Sequence, residues 1–305
     1  MKIMLENVNL SSTSGPNHFA SKLYNTLKTK ESSFVTNESE ADCVLAFIES
    51  PRGIFSKPTI QRLDGIYFNS EQDYNALNGN IRRTYELSQG VVFQSEFNKK
   101  LTKHYFGEHN NSVVIHNGAD LDFISQIKPF EAKILDKYEN VWSCASSWRP
   151  HKRLNENIRY FLEHAPESEC LIIAGDVPED QKVKMDRIFY VGNLAIPLLI
   201  SLYKRSKYFL HLAWLDHCPN VVVDARASGC KIICSSSGGT REVAGKGAIL
   251  IEEDNWDFSP LKLYRPPKMN FQKKLENEVD SCDNIQEVGK KYYIFLKKTL
   301  ELQRQ

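Results

Sequence analysis

Short apolar runs rich in β-forming residues alternate with helical stretches along the whole chain, and this alternation constrains the fold more than any other feature. It is typical of parallel β-sheets that carry helices on both faces. The predicted strands form two groups, which fits two Rossmann-like sheets better than one. The first group is 2–6, 43–49, 59–63, 90–94 and 112–115; the second is 141–145, 170–174, 189–191, 208–212, 231–234 and 248–251.

The chain is long enough for two domains, because it has 305 residues and a common domain has roughly 100–200. A turn-forming Asn117–Gly118 pair interrupts the pattern, so we predict domains over residues 1–120 and 121–283. Residues 284–305 carry apolar side chains at helical spacing, which predicts a last helix with one buried stripe. Neither sheet carries G-x-G-x-x-G after its first strand, which disfavours a dinucleotide-dependent dehydrogenase.

The charge balance does not indicate nucleic acid as a partner, because 39 Lys and Arg against 38 Asp and Glu leave a formal net charge of +1. No stretch approaches the ~20 apolar residues of a membrane span, and the first residues lack the pattern of a signal peptide. Seven cysteines are scattered in or beside apolar runs, which indicates reduced core residues rather than a zinc site. These features predict a cytoplasmic protein.

The segment from Leu212 to Gly229, LAWLDHCPNVVVDARASG, places two carboxylates around the start of a predicted helix. Pro219 suits the first helical position, where a missing N–H costs nothing, and Gly229 suits the left-handed residue that closes a helix. Asp216 is therefore expected in the loop before the helix, and Asp224 within the helix.

Such a helix start can bind an anion, because its first N–H groups point outward and its dipole is positive at that end. The N–H groups of Asn220 and Val221 would bind a diphosphate, and Asp224 would accept hydrogen bonds from ribose hydroxyls. The segment therefore predicts a nucleotide-sugar site. A surface helix with ordinary capping acids is the alternative interpretation.

Arg149 and Lys152 follow closely on the predicted strand VWSCA, at the carboxyl end where open α/β sheets bind ligands. An enzyme that releases a diphosphate without a metal must stabilise it with cations and N–H groups. A basic helix start is the alternative, but the helix dipole disfavours Lys and Arg at that end. The two cations are therefore candidate catalytic residues.

Five segments in the same order resemble glycosyltransferase family 4, a group of retaining enzymes with the GT-B fold. Asp216 and Asp224 form D-x7-D where the family has E-x7-E. The other segments are GPNHFA from Gly15, VIHNGAD at Val114–Asp120, SSWRPHKRL at Ser146–Leu154 and SGGTREV at Ser237–Val243. The resemblance implies two Rossmann-like domains facing a cleft, an acceptor-side N-terminal domain, a C-terminal domain that binds the nucleotide sugar, and a C-terminal helix that crosses back to the N-terminal domain.

The resemblance also implies roles for single residues. The family counterparts of Arg149 and Lys152 contact the diphosphate, and Asp216 would hold the sugar, although it is one methylene shorter than the usual glutamate. Gly15 would let the backbone approach the donor; because proline replaces the second glycine of many relatives, a simple turn is the alternative. Asp64 is the candidate for a polar group that the N-terminal domain places against the donor sugar, with a turn aspartate before glycine as the alternative.

Together these features predict a glycosyltransferase that needs neither metal nor cofactor, and the family resemblance implies that it retains the anomeric configuration. Its donor would be a UDP- or GDP-sugar, and its acceptor a glycan, a lipid or a small molecule, with peripheral membrane contact left open. Two alternatives stay open: a catalytically silent scaffold that binds a nucleotide sugar, and a sugar-nucleotide epimerase or phosphorylase on the same fold.

Overall fold

The computed structural model describes residues 1–12, 14–29, 31–53, 55–280 and 284–303. The chain divides into two compact units: unit 1 is Met1–Gly118, Asp257–Leu261 and Asp283–Gln305, and unit 2 is Ala119–Trp256 and Lys262–Cys282. The sequence analysis assigned residues 257–261 to the second domain, whereas here they cluster with unit 1. In that unit Asn69 and Leu261 form a parallel bridge, and the Tyr105 hydroxyl donates to the Phe258 carbonyl at 3.0 Å.

A parallel six-stranded sheet forms the centre of unit 1. Its strands β1 to β6 are Lys2–Glu6, Ser33–Val35, Cys43–Phe47, Thr59–Leu63, Gly90–Phe93 and Ser112–Val114. They pair in the order β2-β1-β3-β4-β5-β6. Helices α1 to α4 are Gly15–Leu27, Tyr74–Leu77, Gly79–Leu87 and Glu96–Phe106.

A seven-stranded sheet forms the centre of unit 2. Its strands β7 to β13 are Asn140–Ala145, Glu169–Ala174, Ile188–Gly192, Tyr208–His211, Lys231–Ser235, Ile249–Ile251 and Lys274–Glu276. The order is β13-β12-β11-β10-β7-β8-β9, and β13 is antiparallel to β12. Helices α5 to α9 are Leu121–Gln126, Leu154–His164, Ile196–Arg205, Asn220–Ala227 and Thr240–Val243, and the last helix of the chain, α10, is Ile285–Leu302.

Each of the eleven predicted strands coincides with an observed strand, and two observed strands were not predicted. Strands β2 and β13 have three residues each, lie at the edges of their sheets, and have no buried residue. They lack the continuous apolar run of a strand that is covered on both faces. The predicted strands thus include every strand that has a buried residue, and the two that were missed are short strands at sheet edges.

Strand β8 shows how the apolar runs build two cores. All six of its residues are buried. Cys170, Ile172 and Ala174 pack into the core on one face of the sheet, and Leu171 and Ile173 pack into the core on the other face. Because successive side chains of a strand point to opposite faces, a continuous apolar run supplies both cores.

The cysteines that the structure describes are free thiols in the hydrophobic cores of the two units, as the sequence analysis predicted. Cys43, Cys144, Cys170, Cys218, Cys230 and Cys234 are buried, and Cys282 lies outside the described residues. Burial raises the pKa of Cys170 to about 11 and that of Cys230 to about 12, so these thiols remain protonated and unreactive at neutral pH. Within the described ranges, no helix combines the length and the apolar composition needed to cross a bilayer.

The path of the chain through unit 2 creates a switch point between β7 and β10. After β7 the chain adds β8 and β9 on one side, and it then returns to place β10 on the other side of β7. The connections after β7 and β10 therefore leave the sheet in opposite directions. In open α/β sheets ligands bind in the crevice that forms at such a point, beyond the carboxyl ends of the strands.

Helix α10 packs within unit 1, as the resemblance implied for the end of the chain. Ile285, Val288, Tyr292 and Leu296 are buried in the same core as strands β1 and β3 and helix α1. Gly289 lies at the contact with α1: a Cβ atom there would be 3.2 Å from Cβ of Thr26 and closer still to its Cγ2. The two helices approach closely because position 289 has no side chain.

We predict that Gly289→Ala lowers the stability of unit 1, although alanine is the better helix former by about 1 kcal/mol. Overpacking against the Thr26 methyl should cost roughly 1–3 kcal/mol. The measurement is the midpoint of thermal and urea unfolding for the wild type, Gly289→Ala, Thr26→Ser and the double variant.

Thr26→Ser removes the methyl group but keeps the hydroxyl that donates to the Lys22 carbonyl at 3.0 Å. The double variant should therefore recover most of the loss. Equal losses in the single Gly289→Ala variant and in the double variant would show that this contact does not limit the packing of α10.

Candidate active site

Helix α8 ends as the sequence analysis predicted, but it begins one residue later. The helix begins at Asn220, and Pro219 is its N-cap residue. The sequence analysis had placed Pro219 one residue further on, at the first helical position. Its end is as predicted: Gly229 has a φ of +100°, and its N–H donates to the Arg226 carbonyl at 2.9 Å. The N–H groups of Asn220 and Val221 lie in the first turn, where the helix dipole is positive.

Asp216 lies in the loop between β10 and α8 and forms an ion pair with Lys152. The Lys152 Nζ and Asp216 Oδ2 atoms are 2.5 Å apart, and the two side chains are 19% and 13% exposed. The sequence analysis selected these residues separately, one for the diphosphate and one for the sugar, and the structure joins them. Because an ammonium group has three N–H donors, Lys152 can bind Asp216 and an incoming anion at the same time.

Two further groups hold the carboxylate of Asp216. The His211 Nε2 atom lies 2.9 Å from Oδ2, and the backbone N–H of His217 donates to Oδ1 at 2.9 Å. Burial opposes ionisation, but the Lys152 ammonium and the His211 hydrogen bond outweigh it and hold the pKa of Asp216 well below its usual range. Asp216 is therefore ionised at neutral pH.

Three histidines surround the ion pair, and burial keeps their imidazoles neutral. Burial and the Lys152 charge lower the pKa of His151 to about 3. Burial lowers the pKa of His217 to about 4 and also lowers that of His211. Because a carboxylate can only accept, His211 must donate its Nε2–H to Asp216. Across the described ranges, no group of three or more His, Cys, Asp or Glu side chains is arranged to hold a metal ion.

The topology of the sheet brings these residues together. Strand β10 lies between β7 and β11, and all three are parallel, so their carboxyl ends lie side by side. Lys152 follows β7 and Asp216 follows β10. Asn157 of α6 ties the two connections: it donates to the Arg153 carbonyl at 2.8 Å and accepts the Leu212 N–H at 3.2 Å. The ion pair therefore lies at the switch point of unit 2.

The loop after β11 supports the backbone of Asp216. The Gly239 N–H donates to the Asp216 carbonyl at 2.7 Å, and the Ser237 hydroxyl accepts the Leu215 N–H at 3.2 Å. Gly238 has a φ of +73°, and a Cβ atom at this position would lie 2.5 Å from the Asp216 carbonyl oxygen. The SGGT segment therefore needs glycine at position 238, because a side chain there would push the Asp216 loop away.

A buried ion pair fixes the segment that carries Lys152. Arg153 binds both carboxylate oxygens of Glu253, at 3.0 and 2.6 Å, and the two side chains are 1% and 9% exposed. Glu253 also accepts a hydrogen bond from Ser235 at the end of β11. Bidentate pairs of this kind fix the orientation of both partners. Arg153 therefore supports the site from within the protein.

The remaining candidates of unit 2 lie in different surroundings. Arg149 is exposed at the N-cap of the 3-10 helix Pro150–Lys152, and its charge helps to lower the pKa of His151. Asp224 lies in the second turn of α8 and is 8% exposed. Burial, and then the charge of Asp224, raise the pKa of Tyr203 well above its usual value. Asp224 is therefore largely covered by the protein.

The two candidates of unit 1 lie at the carboxyl edge of its sheet. Gly15 is the first residue of α1, in the connection that follows β1. Asp64 follows β4 and forms an ion pair with Arg62, whose side chain is 1% exposed. Arg62 also donates to the Asn117 side chain at 2.7 Å. Asp64 is thus the counter-ion of a buried guanidinium, a structural role that the sequence analysis did not foresee.

The sequence analysis also missed the histidines around the ion pair, which are His151, His211 and His217. His211 ends β10 on the same face as the buried Phe209, whose ring is nearly parallel to the imidazole. A polar residue at a core position of an apolar strand was the signal that could have identified it. The other two are sequence neighbours of Lys152 and Asp216 and carry no separate signal.

Residues 144–259 match a family model, glycosyl transferases group 1. The matched region contains the ion pair, its supporting loop after β11 and the whole of α8. This region is a glycosyl transferases group 1 domain, and the protein is a glycosyltransferase. No curated protein matches its sequence.

Solved structures show that this glycosyltransferase has the GT-B fold, as the sequence resemblance implied. HepE from Anabaena in complex with UDP-glucose superposes with a TM-score of 0.63 at 14% identity, over 100% of this chain and 99% of that chain. Sucrose-phosphate synthase from Thermosynechococcus elongatus gives 0.65 at 10% identity, over 100% and 98%. AviGT4, a glycosyltransferase involved in avilamycin A biosynthesis, gives 0.63 at 13% identity, over 99% and 98%.

We predict that Gly238→Ala greatly reduces transfer by the glycosyltransferase, because its Cβ would displace the backbone of Asp216. Gly229→Ala is the matched control: Gly229 also has positive φ, but a Cβ there meets no atom within 4 Å. Both variants should lose about 1–2 kcal/mol of stability through the backbone. Only Gly238→Ala should also lose activity, and equal activity in the two variants would contradict the supporting role of this loop.

Proposed function

We propose that this glycosyltransferase moves a sugar from a nucleotide-sugar donor to an acceptor with retention of anomeric configuration. The observation that carries the proposal is the Lys152–Asp216 ion pair at the switch point of unit 2. A cation, a carboxylate and the start of α8 follow strands β7 and β10 at one edge of the sheet. Such an edge can bind both the diphosphate and the hydroxyl groups of a nucleotide sugar.

The donor that we propose is a UDP- or GDP-sugar. HepE, which has the same fold, has been solved in complex with UDP-glucose. In the present chain the N–H groups of Asn220 and Val221 would bind diphosphate oxygens. Asp224 would accept hydrogen bonds from the ribose hydroxyls, which requires a small movement around this largely covered carboxylate. Asp216 would accept a hydrogen bond from a sugar hydroxyl.

Cleavage of the bond between the sugar and the diphosphate gathers negative charge on the leaving group. Lys152 has N–H donors beyond the one that Asp216 accepts, and Arg149 is exposed at the same edge. Preorganised cations of this kind stabilise charge that develops in the transition state. They would do the work that a divalent cation does in metal-dependent enzymes, so we propose a reaction without metal or cofactor.

Retention would follow if the leaving phosphate helps to deprotonate the acceptor on the face of the sugar from which it departs. We propose that unit 1 binds the acceptor, which is a glycan, a lipid or a small molecule. Gly15 would allow close approach of the donor at the start of α1. Asp64, which is 15% exposed and anchored by Arg62, would accept a hydrogen bond from a sugar hydroxyl. A cytoplasmic location is part of the same proposal and rests on the cysteine pattern.

The first test of the donor site is nucleotide binding in EDTA. UDP or GDP should stabilise the protein without divalent metal, by about 2.7 kcal/mol when the ligand concentration is one hundred times Kd. The measurement is a thermal shift with UDP, GDP, ADP and their sugars, with and without EDTA. Binding that disappears in EDTA would contradict the metal-free site, and no binding to any of these nucleotides would contradict the donor class.

The second test separates charge stabilisation from ground-state binding. Lys152→Gln keeps a donor for Asp216 but removes the positive charge, and Arg149→Ala removes the guanidinium. Each should lower kcat about a hundredfold, which corresponds to about 3 kcal/mol of transition-state stabilisation. Asp224→Ala should instead weaken the binding of donor and free nucleotide to a similar degree.

Transfer and donor hydrolysis are measured with a labelled donor, and nucleotide affinity is measured beside them. A catalytically silent scaffold would show nucleotide binding but no turnover by the wild type. Turnover that is unchanged in both cation variants would contradict their proposed role in leaving-group departure.

A further inference from the structure

His211 occupies a position that the donor-site roles above do not explain. It is the last residue of β10, it is 4% exposed, and its ring lies parallel to that of Phe209 on the core side of the strand. A neutral imidazole at an apolar strand position costs free energy unless its polar atoms are bonded. Its Nε2 atom forms a hydrogen bond with Oδ2 of Asp216, at 2.9 Å.

The hydrogen bonds of Asp216 form a chain that leads from the core to the open edge of the sheet. Oδ2 accepts from His211 on one side and from Lys152 on the other, and Oδ1 accepts from the backbone of His217. The exposed fraction rises along the chain, from 4% for His211 through 13% for Asp216 to 19% for Lys152. The buried end is therefore the fixed end, and the ammonium is the end that a ligand can reach.

We propose that His211 is a positioning residue for glycosyl transfer, which holds Asp216 so that Asp216 orients the Lys152 ammonium toward the leaving diphosphate. The proposal rests on the function proposed above and adds to it that Asp216 acts on Lys152 as well as on the sugar. A lysine side chain has four rotatable C–C bonds. An ammonium group that a fixed carboxylate already holds therefore loses little conformational freedom when the anion binds.

The charged and titratable groups that face Asp216 come from two connections and one strand. Lys152 and His151 follow β7, His211 belongs to β10, and His217 belongs to the loop of Asp216 itself. Lys152 is the cation among these groups, and the three imidazoles are neutral. Removal of His211 therefore removes a neutral donor without changing the net charge around Asp216.

The test compares His211→Gln with His211→Leu. Glutamine can place an N–H donor close to the position of His211 Nε2, whereas leucine fills the space without a donor. His211→Leu should lower kcat for transfer about ten- to a hundredfold, because a hydrogen bond to a charged group is lost. The KM for the donor should change much less, and His211→Gln should recover most of kcat.

The dependence of kcat on pH is a second measurement. A purely structural role of His211 would not shift this pH profile. The His211 donor holds the pKa of Asp216 down, so its loss raises that pKa. Activity that requires ionised Asp216 is lost as the pH falls through this pKa. The acid limb of kcat should therefore move to higher pH in His211→Leu and return toward the wild-type position in His211→Gln.

His164 provides the matched control. It lies at the end of α6, bonds through Nδ1 to the Tyr160 carbonyl at 2.9 Å, and stacks on the Tyr160 ring at 4.1 Å. His164→Leu and His164→Gln should leave kcat and its pH profile unchanged. Thermal unfolding of every variant is measured, and if His211→Leu does not fold, His211→Asn replaces it, because its shorter amide cannot reach Asp216.

The outcomes separate this proposal from the proposed function. A wild type without turnover on any nucleotide sugar would overturn the function itself. An active wild type, with equal kcat and equal acid limbs in His211→Leu and His211→Gln, would overturn the positioning role and leave the function intact. A loss of kcat that glutamine restores, together with the shifted acid limb, supports it.

Discussion

The candidate site of this glycosyltransferase depends on the interactions of one group, the ionised carboxylate of Asp216. One anion binds an ammonium group, an imidazole and a backbone N–H, and it thereby connects the segments that follow β7 and β10. The carboxylate is largely covered, so water screens these interactions less than it would at an open surface. Each partner compensates a charge that the protein would otherwise leave buried at a cost.

The strand order of unit 2 makes this convergence possible. Because β10 lies between β7 and β11, three connections start side by side, and each contributes a different kind of group. The first supplies Lys152, the second supplies Asp216, and the third supplies Gly238, which allows the loops to approach. The buried Arg153–Glu253 pair joins the first connection to the segment that follows β12, and Glu253 also accepts a hydrogen bond from Ser235 at the end of β11. These buried contacts support the exposed edge of the site from within.

The two aspartates of the D-x7-D segment look equivalent in the sequence motif, but their surroundings in the structure differ. Asp216 is held in an ion pair, whereas Asp224 lies in α8 beside the buried Tyr203. In unit 1, Asp64 neutralises the buried Arg62, so its charge contributes to the fold whether or not it meets a ligand. Carboxylates that a sequence analysis selects in the same way can therefore have different partners in the structure, which only the fold reveals.

The sequence by itself determined the class of fold, because each buried strand is a local apolar run, and it determined the end of α8, because Gly229 is suited to positive φ. It also selected Lys152, Asp216 and Asp224 from their places after strands and at a helix start. It could not show the short edge strands β2 and β13, which bury little. Only the tertiary structure decided that His211 and Lys152 meet at Asp216, because that contact depends on strand order, which leaves no local pattern in the chain.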